Sequence, residues 1–389
     1  MIFFKSRHPE YSFDDIRSFT DEEVVAAAKE WASDKFFLET VAAYFSAGKP
    51  SFLQPFLKKK VVKYLITLLK SVDSVASFQK NIISDLVIAE IKKRTVKSIH
   101  YSGFENLNPN DRYIFLSNHR DIVCDAAFFE DGMLKHGLKT TEIAFGSNLL
   151  VNKSVEKLIR SNKGCIFYRG LDLRKQYEEY SRFSAYIGKL MNDNQSLWLA
   201  HRPGRSKDAS HETNPAVLKM IYLAGRSRGV SFPEYMNFCQ IVPVSVSYER
   251  DPAVPLMAKA LVFEERDGKY EKSRDEDLQH IISGVTGYKG EIHIAVGTPI
   301  DFTPFGKNAE AVALEIDRFI HTQFVPGAFH YIAYDRMFHT DRFSCMYTDD
   351  DETEFDSLYS RYEPMIYKKI LLQYANPVVS KIKIEEIRK

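Results

Sequence analysis

The sequence predicts an α/β fold, a largely parallel sheet flanked by helices, with helical N- and C-terminal additions. Two observations carry that expectation. Between about residues 98 and 300, short β-rich runs alternate with helical patterns, the arrangement of βαβ units around a buried sheet. On both sides of that span, apolar residues recur at three and four, which is helical spacing. The expected divisions are a helical region over 1–95, an α/β domain over 96–305 and a helical extension over 306–389.

Each element has a local reason. Thr20-Asp21-Glu22-Glu23 has the form of a capped helix start, and the alanine-rich run Val24 to Ala32 follows it. Phe56 to Lys70 sets Leu57, Val61, Leu65 and Leu68 at helical spacing among Lys58, Lys59, Lys60, Lys63 and Lys70. Such a helix fits an anionic membrane surface, and it equally fits a core face with solvated lysines. Strands are expected at Tyr113 to Leu116, Glu142 to Phe145, Cys165 to Tyr168, Ser196 to Leu199, Ile241 to Ser247, Lys259 to Phe263 and Ile292 to Val296. Helices are expected at Ile122 to Lys135, Leu149 to Arg160, Asp172 to Met191, Ala309 to His321 and Tyr359 to Tyr374. The acidic run Asp349 to Glu354 reads as a solvated loop, because it lacks the spaced oxygen ligands and glycine turn of a calcium site.

Composition narrows the class of function. With 53 basic and 52 acidic residues the formal net charge is +1, so nothing global points to nucleic acid as a partner. The cysteines, Cys124, Cys165, Cys239 and Cys345, form no C-x-x-C pair, which argues against a zinc ribbon or a disulfide framework. Cys124 and Cys165 read as small core residues. An intracellular setting fits that usage. Met1 to His8 lacks the apolar core of a signal peptide, and no stretch reaches the ~18 apolar residues that span a bilayer.

In parallel sheets, ligands sit beyond the carboxyl ends of the strands. The first strand is followed by Asn118-His119-Arg120-Asp121, with Asp125 six positions after His119. Arg169-Gly170 follows the third, and the fourth runs into His201-Arg202-Pro203-Gly204-Arg205-Ser206-Lys207. His119-Arg120-Asp121 has the letters of a kinase catalytic loop, but Ala126 stands where the magnesium-binding Asn is needed, and no D-F-G follows. A histidine beside a carboxylate suits removal of a proton from a hydroxyl, with Asp121 or Asp125 setting the tautomer. Arg169, Arg202, Arg205 and Lys207 are candidates for holding a phosphate. G-x-S-x-G is absent, so direct attack by a hydroxyl fits better than a covalent intermediate.

These segments resemble, in order and spacing, the four motif blocks of the glycerolipid acyltransferase superfamily, which includes glycerol-3-phosphate and lysophosphatidic acid acyltransferases. Asn118 to Asp125 resembles the first block and Gly164 to Arg169 the second. His201 to Lys207 resembles the third, with Pro203 where the family has glutamate, and Val242-Pro243-Val244 resembles the fourth. Gly290 to Ile300 is similar to the closing strand and turn, so the resemblance covers about residues 95 to 305. It implies transfer of a fatty acyl group from acyl-CoA or acyl carrier protein to a hydroxyl of glycerol-3-phosphate or a lysophospholipid. His119 would be the base and Asp125, nearest the family spacing, its orienter. Asp121 is the alternative and otherwise a helix N-cap. No metal or redox cofactor is implied, and the expected place is the cytoplasmic face of a membrane, bound peripherally. The rival readings are a catalytically impaired lipid- or phosphate-binding member of the fold, and a metal-dependent phosphotransferase or hydrolase using Asp121.

Overall fold

A computed structural model describes residues 11–150, 152–268, 270 and 276–387. The opening segment Met1 to His8 lies outside the described residues. Among the described residues there are seven strands, β1 (Val96–Ser102), β2 (Ile114–Ser117), β3 (Glu142–Gly146), β4 (Gly164–Phe167), β5 (Leu197–Ala200), β6 (Ile241–Tyr248) and β7 (Gly290–Val296). Most pair in parallel, and helices connect them, as expected for an α/β fold.

The chain divides into two compact units. The first contains Arg94–Thr141 and Tyr177–Lys389, so the C-terminal helices share a unit with most of the sheet. Its strands run in the order β1-β7-β6-β2-β5. β2 is parallel to both β5 and β6, which brings the carboxyl ends of these three strands to one edge. β7 is parallel to β1 and antiparallel to β6. All eight residues of β6 are buried, and the run of Ile, Val and Pro fits a strand covered on both faces. The C-terminal helices close around Phe329, Ile332, Phe355, Tyr359, Ile370 and Tyr374, all buried.

The second unit contains Ser12–Lys93 and Glu142–Gln176. Here Thr20 caps helix Asp21–Trp31: the Thr20 hydroxyl accepts from the Glu23 N–H, and the Glu23 carboxylate accepts from the Thr20 N–H at 2.8 Å. Val24, Ala28, Trp31, Leu38, Leu65, Leu69 and Phe78 form its core. Helix Gln54–Lys70 therefore turns Leu65 and Leu69 inward and leaves Lys58, Lys59, Lys60 and Lys63 exposed. Among the described residues, no helix is long and apolar enough to cross a membrane.

Three expectations are corrected, and one strand is added. Lys259 to Phe263 belongs to helix Val254–Asp267, where Val254, Met257 and Ala258 share a buried face and override the β-favouring Leu-Val-Phe run. The acidic run is the first turn of helix Asp349–Tyr359: Thr348 caps it, and acids at a helix N-terminus suit the dipole. Tyr359 to Tyr374 is not one helix, because Pro364 starts a new one, Pro364–Ile387. β1 was not expected, and its half-exposed alternation belongs to an edge strand.

Candidate active site

The side chains around His119 are set by the shared edge of β2, β5 and β6 in the first unit. β2 ends at Ser117, and Asn118 then ties the turn to β6: its side-chain amide donates to the Val246 carbonyl at 2.9 Å, and its oxygen accepts from the Val246 N–H at 2.7 Å. That reciprocal pair fixes where the next residue, His119, leaves the sheet. Helix Cys124–Lys135 begins five residues later.

His119 Nδ1 lies 2.8 Å from Oδ2 of Asp125. The same oxygen accepts from the backbone N–H of Arg120 at 2.7 Å and of Asp121 at 3.0 Å. The other oxygen, Oδ1, accepts from the Tyr248 hydroxyl at 2.7 Å. The Asp125 side chain is 1% exposed, so among the described residues a charge there has these four donors in place of water. Burial first, and the charge of Asp125 second, hold the Tyr248 phenol well above its ordinary pKa, so it stays a donor. An anion facing Nδ1 places the imidazole proton on that nitrogen and leaves Nε2 as the basic atom. Nε2 takes no hydrogen-bond partner among the described residues, and the His119 side chain is 16% exposed. Trp198 of β5 meets the ring edge-on at 5.7 Å.

Asp121 sits elsewhere. Its Oδ1 accepts from the N–H groups of Val123 and Cys124 at 2.9 and 2.7 Å, so it satisfies the first N–H of the helix that carries Asp125, but the N-cap position expected for it is held by Val123. Burial, followed by the charge of Asp125, raises its carboxyl above the usual range. Gly284 lies so close that a Cβ there would come within 2.1 Å of Asp121 Oδ2. Gly284→Ala is therefore expected to displace the Asp121 carboxylate and destabilise the fold by about 1–3 kcal/mol, read as a lower urea midpoint.

Arg120 is structural wiring. It donates from Nε to Asp251 at 2.7 Å, from one terminal nitrogen to the Ser206 and Lys207 carbonyls, and from the other to Gln373 at 3.0 Å. It thereby joins the loops after β2, β5 and β6 to helix Pro364–Ile387. The Ser206 N–H also donates to the His119 carbonyl at 3.0 Å.

The expected phosphate ligands each meet a protein partner of their own. Arg205 shares a hydrogen bond with His280 Nδ1 at 2.8 Å and lies 4.0 Å from Asp277. Lys207 pairs with Glu264 at 2.9 Å, and Arg202 reaches Ser210 Oγ at 3.5 Å. Arg169, in the second unit, donates to Asn148. His201 is fully buried against Thr213 at 3.0 Å, and burial holds it neutral. Cys124 and Cys165 are buried, as expected of core residues.

Four contributors escaped sequence reasoning: Tyr248, Trp198, Asp251 and Gln373. Tyr248 and Asp251 follow from the rule that strand ends carry sites, since one closes β6 and the other lies three residues beyond it. Gln373 left no signal, because it comes from a helix more than 250 residues away in sequence.

No protein-family model matches the chain, and no curated protein sequence matches it. Among solved structures it is similar to the 1-acyl-sn-glycerophosphate (LPA) acyltransferase of Thermotoga maritima, at 13% identity and a TM-score of 0.36, over 77% of this chain and 92% of that one. Nothing about substrate follows from a likeness this weak.

Proposed function

We propose that this chain is an acyltransferase that moves a fatty acyl group from a thioester, acyl-CoA or acyl carrier protein, to a hydroxyl of a phosphate-bearing acceptor such as glycerol-3-phosphate or a lysophospholipid. The observation that carries the reading is the His119–Asp125 pair, with Nδ1 held at 2.8 Å and Nε2 unpartnered at the strand edge. Nε2 takes the acceptor's hydroxyl proton as its oxygen attacks the thioester carbonyl carbon. The C–O bond forms, the C–S bond breaks, and the leaving thiolate recovers the proton from the imidazolium. Asp125 steadies that imidazolium, and Tyr248 with the two backbone N–H groups steadies Asp125.

Release of free thiol from acyl-CoA in the presence of either acceptor tests the reading. His119→Ala is expected to lose about 10²–10⁴-fold in rate. Equal turnover in that variant would sink the mechanism.

One observation favours a second reading, an acyl- or phosphate-binding protein without turnover. Arg205 and Lys207 are each engaged by protein partners, and the Arg205 side chain is only 10% exposed. Acceptor binding without thiol release would select it.

The reading includes peripheral docking on an anionic membrane. In the second unit, Phe52, Leu53 and Phe56 are 78%, 40% and 69% exposed at the start of helix Gln54–Lys70. Lys49, Lys58, Lys59 and Lys60, also exposed, flank them. Aromatic residues beside lysines suit insertion between anionic headgroups. Replacing Phe52 and Phe56 together by Ser is expected to weaken sedimentation with phosphatidylglycerol vesicles at least about tenfold, from the apolar area withdrawn.

A further inference from the structure

At the free edge of the first unit, β1 pairs with β7 so that His100 stands directly opposite His293. Their imidazoles stack with centroids 4.6 Å apart and planes within 15°. Glu291 lies two residues before His293, so strand alternation turns it to the same face. One ligand atom from each of the three lies within 4.8 Å of the others. His100 is exposed, and Glu291 and His293 are half-buried, so an ion has open approach. A surface pocket of about 190 Å³ is lined by Glu291 and His293 together with Lys97 and Glu249.

Each potential ligand is partly held in place. Lys97 Nζ lies 3.1 Å from a Glu291 oxygen. The Ser98 hydroxyl shares a hydrogen bond with His100 Nε2 at 3.1 Å, and the Glu249 carboxylate accepts from the Glu291 N–H at 2.8 Å.

We propose that His100, Glu291 and His293 form a binding site for a divalent transition-metal ion of the zinc class, which ties edge strand β1 to β7. Two imidazoles and one carboxylate match the donor set of three-ligand zinc sites, with water completing the shell. Magnesium and calcium prefer all-oxygen shells and are poor occupants. Around a tetrahedral ion, donor atoms lie roughly 3.4 Å apart, so the side chains must draw in. Nitrogen lone pairs lie in the ring planes, so the stacked rings must also turn, and His100, exposed, does so by giving up its bond to the Ser98 hydroxyl. Lys97 is the competing cation, and the metal displaces its ammonium from Glu291.

The test uses the untagged full-length chain on a Cys345→Ser background, which removes an exposed thiol that could itself bind zinc. After stripping with EDTA, the protein is titrated calorimetrically with zinc chloride and, separately, magnesium chloride. The expected result is one zinc ion per chain, no saturable heat with magnesium, and a thermal midpoint that rises with zinc concentration. His100→Ala and His293→Gln should each weaken zinc at least about tenfold, and Lys97→Met should tighten it. Should His293→Gln fold poorly by circular dichroism, His100→Ala, at an exposed position, carries the test alone. Absence of saturable zinc binding, or equal affinity in His100→Ala, overturns the proposal.

Discussion

Asp125→Asn slows thiol release by about 10²-fold, and Asp125→Ala by about 10³–10⁴-fold. The difference between the two follows from how the carboxylate is held. Oδ2 accepts from three donors, His119 Nδ1 and the backbone N–H groups of Arg120 and Asp121. The two backbone donors cannot turn away, so an asparagine must place its oxygen there and its amide toward the Tyr248 hydroxyl, which can accept. His119 then keeps its tautomer, and what disappears is the charge that stabilises the imidazolium. A hydrogen bond to a charged group contributes about 1.5–3 kcal/mol, which is about 10–150-fold. Alanine removes the acceptor altogether and orphans three buried donors and a phenol, so it also destabilises the fold by several kcal/mol. Tyr248→Phe, which removes one donor from the buried carboxylate, should cost about 1.5–3 kcal/mol of stability and less than tenfold in rate. Wild-type turnover in Asp125→Asn would remove the pair from the mechanism.

Acid is expected to unfold the first unit near pH 5. Four buried histidines of that unit, His201, His211, His321 and His330, are held below their ordinary pKa, chiefly by burial: His321 to about 4 and His330 to about 3, and the other two well below 6.5. Such a group lowers stability where the unfolded chain binds protons and the folded one does not. The stability it supports is complete above pH 6.5 and is lost as pH falls from there toward 3–4. At pH 5 His321 and His330 each cost about 2 kcal/mol, from about 1.5 pH units at 1.36 kcal/mol each, and His201 and His211 act in the same direction. Four together approach the 5–15 kcal/mol stability typical of a domain. Asp317 works in the other direction: burial raises its carboxyl to about 6, so its penalty is relieved as pH falls below that value. Asp121, whose carboxyl burial also raises, acts as Asp317 does, and two such groups offset only part of four. Urea titrations at pH 7.5, 6 and 5 read the slope. A midpoint that does not move between pH 7.5 and 5 contradicts it, and His330→Phe should flatten the slope by about one proton.

Much of the fold was legible because its signals are local. Periods of two and of three to four depend on neighbours in the chain, and the strands at 114–117, 241–248 and 290–296 were found within a few residues. The misread elements are those where distant packing outweighs local preference. Leu261-Val262-Phe263 looks like a strand until Val254 and Ala258 are seen against Phe329 and Ile332. Asp349 to Glu354 looks like a loop until Thr348 turns it into a capped first turn.

At the site, the linear chain supplies the inventory: a histidine after a buried strand, two aspartates within six residues of it, and basic side chains after later strands. Which of them meet is set by the packing of strands and helices. Helical spacing counts against a contact between residues six apart, yet His119 lies in the turn before the helix, where the Asn118 clasp on β6 turns it back toward Asp125. Asp121 is withdrawn from that contact because the helix needs its first N–H groups capped. Tyr248, Asp251 and Gln373 reach the site through strand register and helix packing, and these bring together residues that no spacing along the chain relates.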